Sequence, residues 1–252
     1  MEPTKNIDDR ELRARNTRSF LAGGFFAAIV VATVVYVQKF APDAEGIASP
    51  LRTSHELNEQ VARAIYSQSR RSVEKPAPPK GKRPRVNGEL GVKGEVDYAN
   101  YRVTVESGDK TMSLSIPEIR AMPRTQTATD FKCIEGWSEV IQYAGVTFYD
   151  FLQATGTGRK ADGTYYRFVG LETPDEEYYV SIDMESMLAP QTILAYEMNQ
   201  DELSLPNGFP LRLIIPNKYG IKSLKRIGKI LFSDTRPPDY WAEEGYDWYA
   251  GL

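Results

Sequence analysis

Phe131-Lys132-Cys133-Ile134-Glu135-Gly136-Trp137-Ser138 is the stretch on which the reading of this chain turns, because it holds the single cysteine among 252 residues. One thiol makes no internal disulfide. Nor does it complete a zinc or iron–sulfur centre, which takes several protein ligands at fixed spacings. Two readings of Cys133 remain: a small buried hydrophobe, or the one thiolate offered to a soft metal whose other ligands come from a cofactor.

Working outward, the stretch continues into Gly145-Val146-Thr147-Phe148-Tyr149-Asp150-Phe151-Leu152. A second block runs from Leu194-Ala195-Tyr196-Glu197-Met198-Asn199 to Asn207-Gly208-Phe209-Pro210-Leu211-Arg212-Leu213-Ile214-Ile215-Pro216-Asn217-Lys218-Tyr219-Gly220-Ile221-Lys222-Ser223-Leu224-Lys225. With the tail Arg236 to Leu252, these blocks resemble the sulfite oxidase superfamily of molybdopterin-dependent oxidoreductases, and within it the single-domain branch that includes bacterial periplasmic methionine sulfoxide reductase catalytic subunits. The likeness covers residues 98 to 252 and leaves the first 85 outside.

The resemblance implies an α+β, sulfite-oxidase-type molybdopterin-binding domain, a mixed sheet with short helices. It makes Cys133 the protein ligand to molybdenum, beside two pyranopterin sulfurs. Asn207, Arg212 and the run Ser223-Leu224-Lys225 match the family's cofactor grip, and Thr173 matches it more weakly. A guanidinium and an ammonium suit a cofactor phosphate. Glu135, two residues past the ligand, is either a proton-delivering carboxylate tuned by burial or a structural hydrogen-bond acceptor. Lys218, Lys222, Arg226 and Lys229 read as charged surface. Oxyanion selection falls to whichever of Arg102, Arg124, Arg159 or Arg167 faces the metal.

The chain also departs from the family. Relatives carry an N-terminal asparagine and a tyrosine-glutamate pair on the cofactor, and no counterpart is read between Val86 and Val96. Tyr143 stands where tryptophan is common near the pocket entrance. There is no haem-binding sequence and no added dimerisation domain, so electrons would leave through a separate partner.

Composition is that of an ordinary globular protein, 41% apolar and 26% charged. The net charge of −3 conceals an asymmetry: residues 1–85 carry 15 Lys/Arg against 9 Asp/Glu, residues 86–252 carry 16 against 25. An acidic globular part excludes nucleic acid as a partner, since binding it requires a basic face.

Phe20 to Val37 is free of charge and, with Ser19 and Gln38, approaches the ~20 residues that span a bilayer. Arg10, Arg13, Arg15 and Arg18 precede it, and Lys39 follows before Asp43 and Glu45. The positive-inside rule then gives a single pass in the inner (cytoplasmic) membrane, N-terminus cytoplasmic and globular domain periplasmic. The apolar length favours an anchor over a cleaved signal. Thr17-Arg18-Ser19-Phe20-Leu21 is similar to a twin-arginine export signal with threonine for the first arginine, and Gly46-Ile47-Ala48 offers small residues at cleavage spacing.

The expected organisation is therefore a cytoplasmic segment 1–19, a transmembrane helix 20–38, an amphipathic helix with a basic proline-rich linker 39–85, and the molybdopterin-type domain 86–252. The spacing predicts a helix over Thr53 to Arg71, capped by Thr53 and Glu56, with Leu57, Val61, Ala64 and Ile65 on one stripe and His55 solvated. That helix is either solvent-exposed or docked on a neighbouring subunit. Residues Arg70 to Arg85, with Pro76, Pro78, Pro79 and Pro84 among like charges, predict a stiff spacer whose basic residues could also touch anionic lipid or an acidic protein face. Strands are expected at 101–105, 112–116, 165–169, 178–182, 211–215 and 227–232, with helices from about Pro117, over 146–154 and over 182–188.

Two functions fit. The first is a membrane-anchored molybdoenzyme performing two-electron oxygen-atom transfer on a small substrate, coupled to a redox partner. The second is a non-catalytic accessory or scaffold subunit of a respiratory or photosynthetic membrane complex, with the fold kept and the molybdenum–molybdopterin cofactor absent.

Overall fold

The computed structural model describes residues 9–39, 46–65 and 72–252, and the chain divides into two compact units, 1–54 and 55–252. In the first unit, α1 (Asp9–Lys39) is one helix. Its stretch Arg13–Tyr36 is 24 residues long, contains an 18-residue run with a mean hydropathy of 2.1 and has no residue of that run buried, so it is long and apolar enough to cross a membrane.

Helix α2 (Ser49–Ile65) starts a turn earlier than the sequence suggests. Pro50 fits the first turn, where its missing N–H costs nothing, and Thr53 is an interior residue whose hydroxyl donates to the Ser49 carbonyl at 3.1 Å. The expected end, residues 66–71, lies outside the described residues, as do Arg70 and Arg71 of the linker. His55 is half-buried rather than solvated.

Within the second unit, residues 72–85 are laid against the rest of the domain, touching an acidic protein face instead of standing off as a spacer. The Lys75 amide donates to the Ala128 carbonyl at 2.8 Å, and the Asn199 side-chain amide to the Lys82 carbonyl at 2.7 Å. Lys75 pairs with Asp130 and Lys82 with Glu139, and Pro78 is buried. The basic charge that would extend a free linker is met here by acidic groups of the domain.

Two sheets make the body. β1 (Arg102–Ser107) and β2 (Lys110–Ser115) form a hairpin whose end runs into α3 (Ile116–Arg120). Ser115 and Glu118 close a reciprocal capping box there, with Pro117 in the first turn. β5 (Phe168–Glu172), β6 (Tyr179–Asp183) and β10 (Lys229–Ser233) complete a sheet of order β2-β1-β10-β5-β6. Its β1–β10 pair is parallel and the others antiparallel, so the sheet is mixed.

The second sheet joins β3 (Arg124–Lys132), β4 (Ser138–Thr147), β7 (Ile193–Met198) and the short β8 (Asp201–Glu202), with β9 (Arg212–Ile214) on the other side of β7. Gly145 lies at a bulge in β4, where a Cβ would come 2.0 Å from the Leu194 carbonyl, so only glycine lets the two strands close. Short helices α4 (Phe148–Thr155), α5 (Met184–Met187) and α6 (Tyr240–Glu243) fill the connections. Alternate residues such as Val103, Val105, Val169 and Leu171 meet Phe148 and Phe151 of α4 in the main core.

β3, β4 and β7 are not among the strands expected from the sequence. β3 buries Thr127 and Thr129 where an apolar residue would have announced the alternation. β7 is buried on both faces and shows no period-2 pattern.

Candidate functional site

Cys133 is the first residue after β3, at the start of the five-residue turn into β4. The Cys133 amide donates to the Trp137 carbonyl at 2.9 Å and the Gly136 amide to the Cys133 carbonyl at 3.1 Å, with Gly136 at φ +87. The long β3–β4 ladder, paired from Arg124↔Val146 to Lys132↔Ser138, fixes where that turn points. The thiol faces a cavity of about 120 Å³ also lined by Asn87, Phe131, Arg212, Ser223 and Lys225.

Arg212 opens β9 and is 3% exposed. Its Nη1 donates to the Asn207 carbonyl at 3.0 Å and its Nη2 to the Ser223 carbonyl at 3.3 Å, while its buried Nε has no partner among the described residues. Burial pulls the guanidinium's pKa below its ordinary value, with no carboxylate among the opposing influences. A buried cation with one N–H unanswered calls for an anion or acceptor in the cavity.

Lys225 is the second cation. Its Nζ donates to the carbonyls of Asn87 at 2.6 Å and Gly88 at 3.0 Å. Burial and the neighbouring Arg212 charge bring its pKa down to about 8.

The other residues named from sequence fall in different places. Asn207 does not line the cavity; it supports Arg212 through its carbonyl and donates to Ser204 Oγ at 2.9 Å. The Leu224 side chain is in the main core, leaving only its backbone to the 223–225 segment. Thr173 is 2% exposed and does not line the cavity. Its hydroxyl donates to Asp175 at 2.5 Å and accepts from the Tyr178 amide, and its methyl lies beneath Gly91, where a Cβ would come 2.2 Å from Cγ2.

Glu135 is exposed, against the expectation of a buried carboxylate. Hydrogen bonding from Asn87 and from Trp137, with the Arg85 charge nearby, lowers its pKa. Tyr143 is also displaced from its expected place: it is 1% exposed, with Arg212 Cζ 5.8 Å from its ring, and burial pushes its pKa up to about 12.

None of Arg102, Arg124, Arg159 and Arg167 lines the cavity. Arg124 pairs with Glu197, and Arg159 lies over the Tyr165 ring at 3.8 Å. Three of the supposed surface cations are interior. Lys218 pairs with Asp183 at 3.2 Å and Lys222 with Asp239 at 2.5 Å, while Arg226 donates to the Phe209 and Lys93 carbonyls. Burial pulls Lys218 down to about 8. Burial alone would raise Asp183, but the Lys218 charge and the Ser186 donors outweigh it and hold the carboxyl below its usual range.

The residue that sequence reading missed is Asn87. Its Nδ2 stands 3.5 Å from Cys133 Sγ. Asn87 falls within 86–96, the stretch in which no counterpart of the relatives' N-terminal asparagine is read from sequence; only the folding of residues 72–90 across the domain brings it to the thiol.

The profile described as "Oxidoreductase molybdopterin binding domain" matches residues 89–241. A putative protein-methionine-sulfoxide reductase subunit YedZ1 from Azospira oryzae is 35% identical over 159 residues, 62% of this chain and 58% of that protein. Protein-methionine-sulfoxide reductase catalytic subunits MsrP are 28% identical in Campylobacter jejuni, over 61% of this chain and 57% of that protein, and 30% in Burkholderia mallei, over 60% and 50%. The chain thus matches only about half the length of these relatives. Among solved structures, the sulfane dehydrogenase SoxCD of Paracoccus pantotrophus aligns with a TM-score of 0.50 at 20% identity, over 56% of this chain and 40% of that one, a likeness of fold.

The site suits a molybdopterin. Among the described residues no three His, Cys, Asp or Glu side chains cluster as a metal site, so a metal at Cys133 needs ligands carried by a cofactor. Arg212 and Lys225, with the unanswered Nε, offer charge to an anionic group in the same cavity.

Proposed function

Because the chain belongs to the oxidoreductase molybdopterin-binding domain family, we propose that it is a membrane-anchored molybdoenzyme performing two-electron oxygen-atom transfer, with a methionine sulfoxide side chain as the favoured substrate. The observation that carries this reading is the convergence of Cys133, Arg212 and Lys225 on one cavity. The names of the relatives support the choice of substrate.

Bound there, molybdopterin supplies a metal centre able to exchange an oxygen atom and two electrons. Cys133 is the thiolate that holds the metal, and the Asn87 amide beside Sγ steadies the negative sulfur by hydrogen bonding. Arg212 and Lys225 bind the cofactor's phosphate. Glu135, kept ionised, accepts hydrogen bonds at the turn and orders Trp137 and Asn87. Reduction of a sulfoxide consumes two electrons and two protons and releases water, so a separate electron carrier is required.

Helix α1 supports a membrane anchor, and the arginines before its apolar stretch support a cytoplasmic N-terminus with the domain on the periplasmic side. The competing scaffold reading has no use for an intact thiol, guanidinium and ammonium around one cavity. Molybdenum and pterin analysis of the protein isolated from native membrane, with dye-coupled reduction of a methionine-sulfoxide peptide, tests the proposal. Molybdenum-free protein with no such turnover sinks it.

A further inference from the structure

Helix α2 is turned inside out. Its charged side faces the domain: the Glu59 side chain is 14% exposed and accepts from Arg236 at 2.9 Å, and Arg63 lies 5.2 Å from the Tyr249 ring. Its apolar stripe faces away, with Leu57, Val61 and Ile65 exposed by 59, 55 and 69%. A helix that packs on a soluble domain ordinarily buries its apolar stripe and leaves its charges to water. Here the polar face has found partners and the apolar face has been left for something else.

The stripe forms one wall of a groove of about 300 Å³, whose other wall includes Tyr249 and Leu252. No charged side chain lines it, and its polar lining is two asparagines and a tyrosine. That chemistry suits the boundary between lipid headgroups and acyl chains, where a tyrosine ring and neutral amides meet apolar side chains.

Chain connectivity puts a bilayer within reach. Residues 40–48 separate the end of α1 from the start of α2, and a segment of that length extends at most about 30 Å. We propose that the groove formed by α2 and the C-terminal residues is a lipid-docking face, resting in the headgroup–acyl boundary of the membrane that α1 enters. The inference rests on the reading of α1 as a membrane span and goes beyond it, since a span alone would leave the domain free on its tether.

The test uses the full chain reconstituted into phosphatidylcholine vesicles doped with an acyl-chain diazirine phosphatidylcholine, with photoadducts mapped by peptide mass spectrometry. Adducts are expected on α1 and, in addition, between residues 57 and 65 and at Leu252. Val61→Glu, at an exposed position, should lose the α2 adducts and keep those on α1. Adducts on α1 alone overturn the docking face while leaving the span intact. A chain that in that case sediments as a dimer identifies a second copy as the occupant of the groove. Absence of adducts from α1 overturns the span and the docking face together.

Discussion

The side-chain amide of Asn87 stands 3.5 Å from the sulfur of Cys133, and the carbonyl of the same asparagine accepts from Lys225 at 2.6 Å. One residue of an irregular segment thus touches both the thiol and a cation of the cavity. Asn87→Ala should leave the fold intact and lower molybdenum content, because the side-chain hydrogen bond that steadies the metal-holding sulfur is lost. Metal analysis beside far-UV circular dichroism on the purified variant measures this, and unchanged molybdenum content refutes it.

Cys133→Ser should abolish turnover and molybdenum content while the domain stays folded, since a hydroxyl replaces thiolate poorly on a soft metal. Metal analysis and far-UV circular dichroism on the same sample separate loss of metal from loss of fold. Unchanged turnover removes the proposed function.

Lys225→Ala should lower cofactor content more than it lowers the melting temperature, because the side chain contributes charge to the cavity and little core area. The pH dependence follows from its pKa of about 8. Below that value the ammonium is charged and binds an anion; as pH rises through about 8 the charge and that attraction are lost. Cofactor retention on gel filtration should therefore be weaker at pH 9 than at pH 7 in the natural protein, and the difference should shrink in Lys225→Ala.

Lys222→Ala should be among the most damaging lysine substitutions. It strands Asp239, 4% exposed, without its cation, and breaking a buried pair costs about 3–5 kcal/mol. Lys229 lies half-exposed between Glu106 and Glu172, and its removal should cost about 0–1 kcal/mol. Denaturant midpoints of the two variants in the same detergent should differ in that order; equal midpoints would show that the Asp239 pair contributes nothing.

Asn199→Ala should loosen residues 72–85. It removes the donor to the Lys82 carbonyl and the acceptor for the Gln142 amide, leaving buried groups unpaired at about 1–3 kcal/mol each. Trypsin should then cut at Lys82 or Arg85 in a folded chain, where the natural protein resists. Truncation after residue 85 should destabilise the domain more than truncation after residue 71, because only the former removes these contacts.

The sequence by itself determined the family-bearing blocks around Cys133 and Arg212, the apolar length of α1, and elements whose signals are local, such as the alternation in β1 and the helix start near Pro117. These signals act within a few residues and so can be read along the chain. Tertiary structure alone decided which cations are interior. Lys222 and Lys218 have the composition of a surface, and become core residues only because Asp239 and Asp183 arrive from distant elements to neutralise them. It likewise decided that a basic, proline-rich segment lies against the domain, since its acidic partners are spread over β3, β4 and β8, and that Asn87 reaches Cys133. Charge pairing and cavity lining depend on distance in space, and chain order carries that distance only where the partners are neighbours.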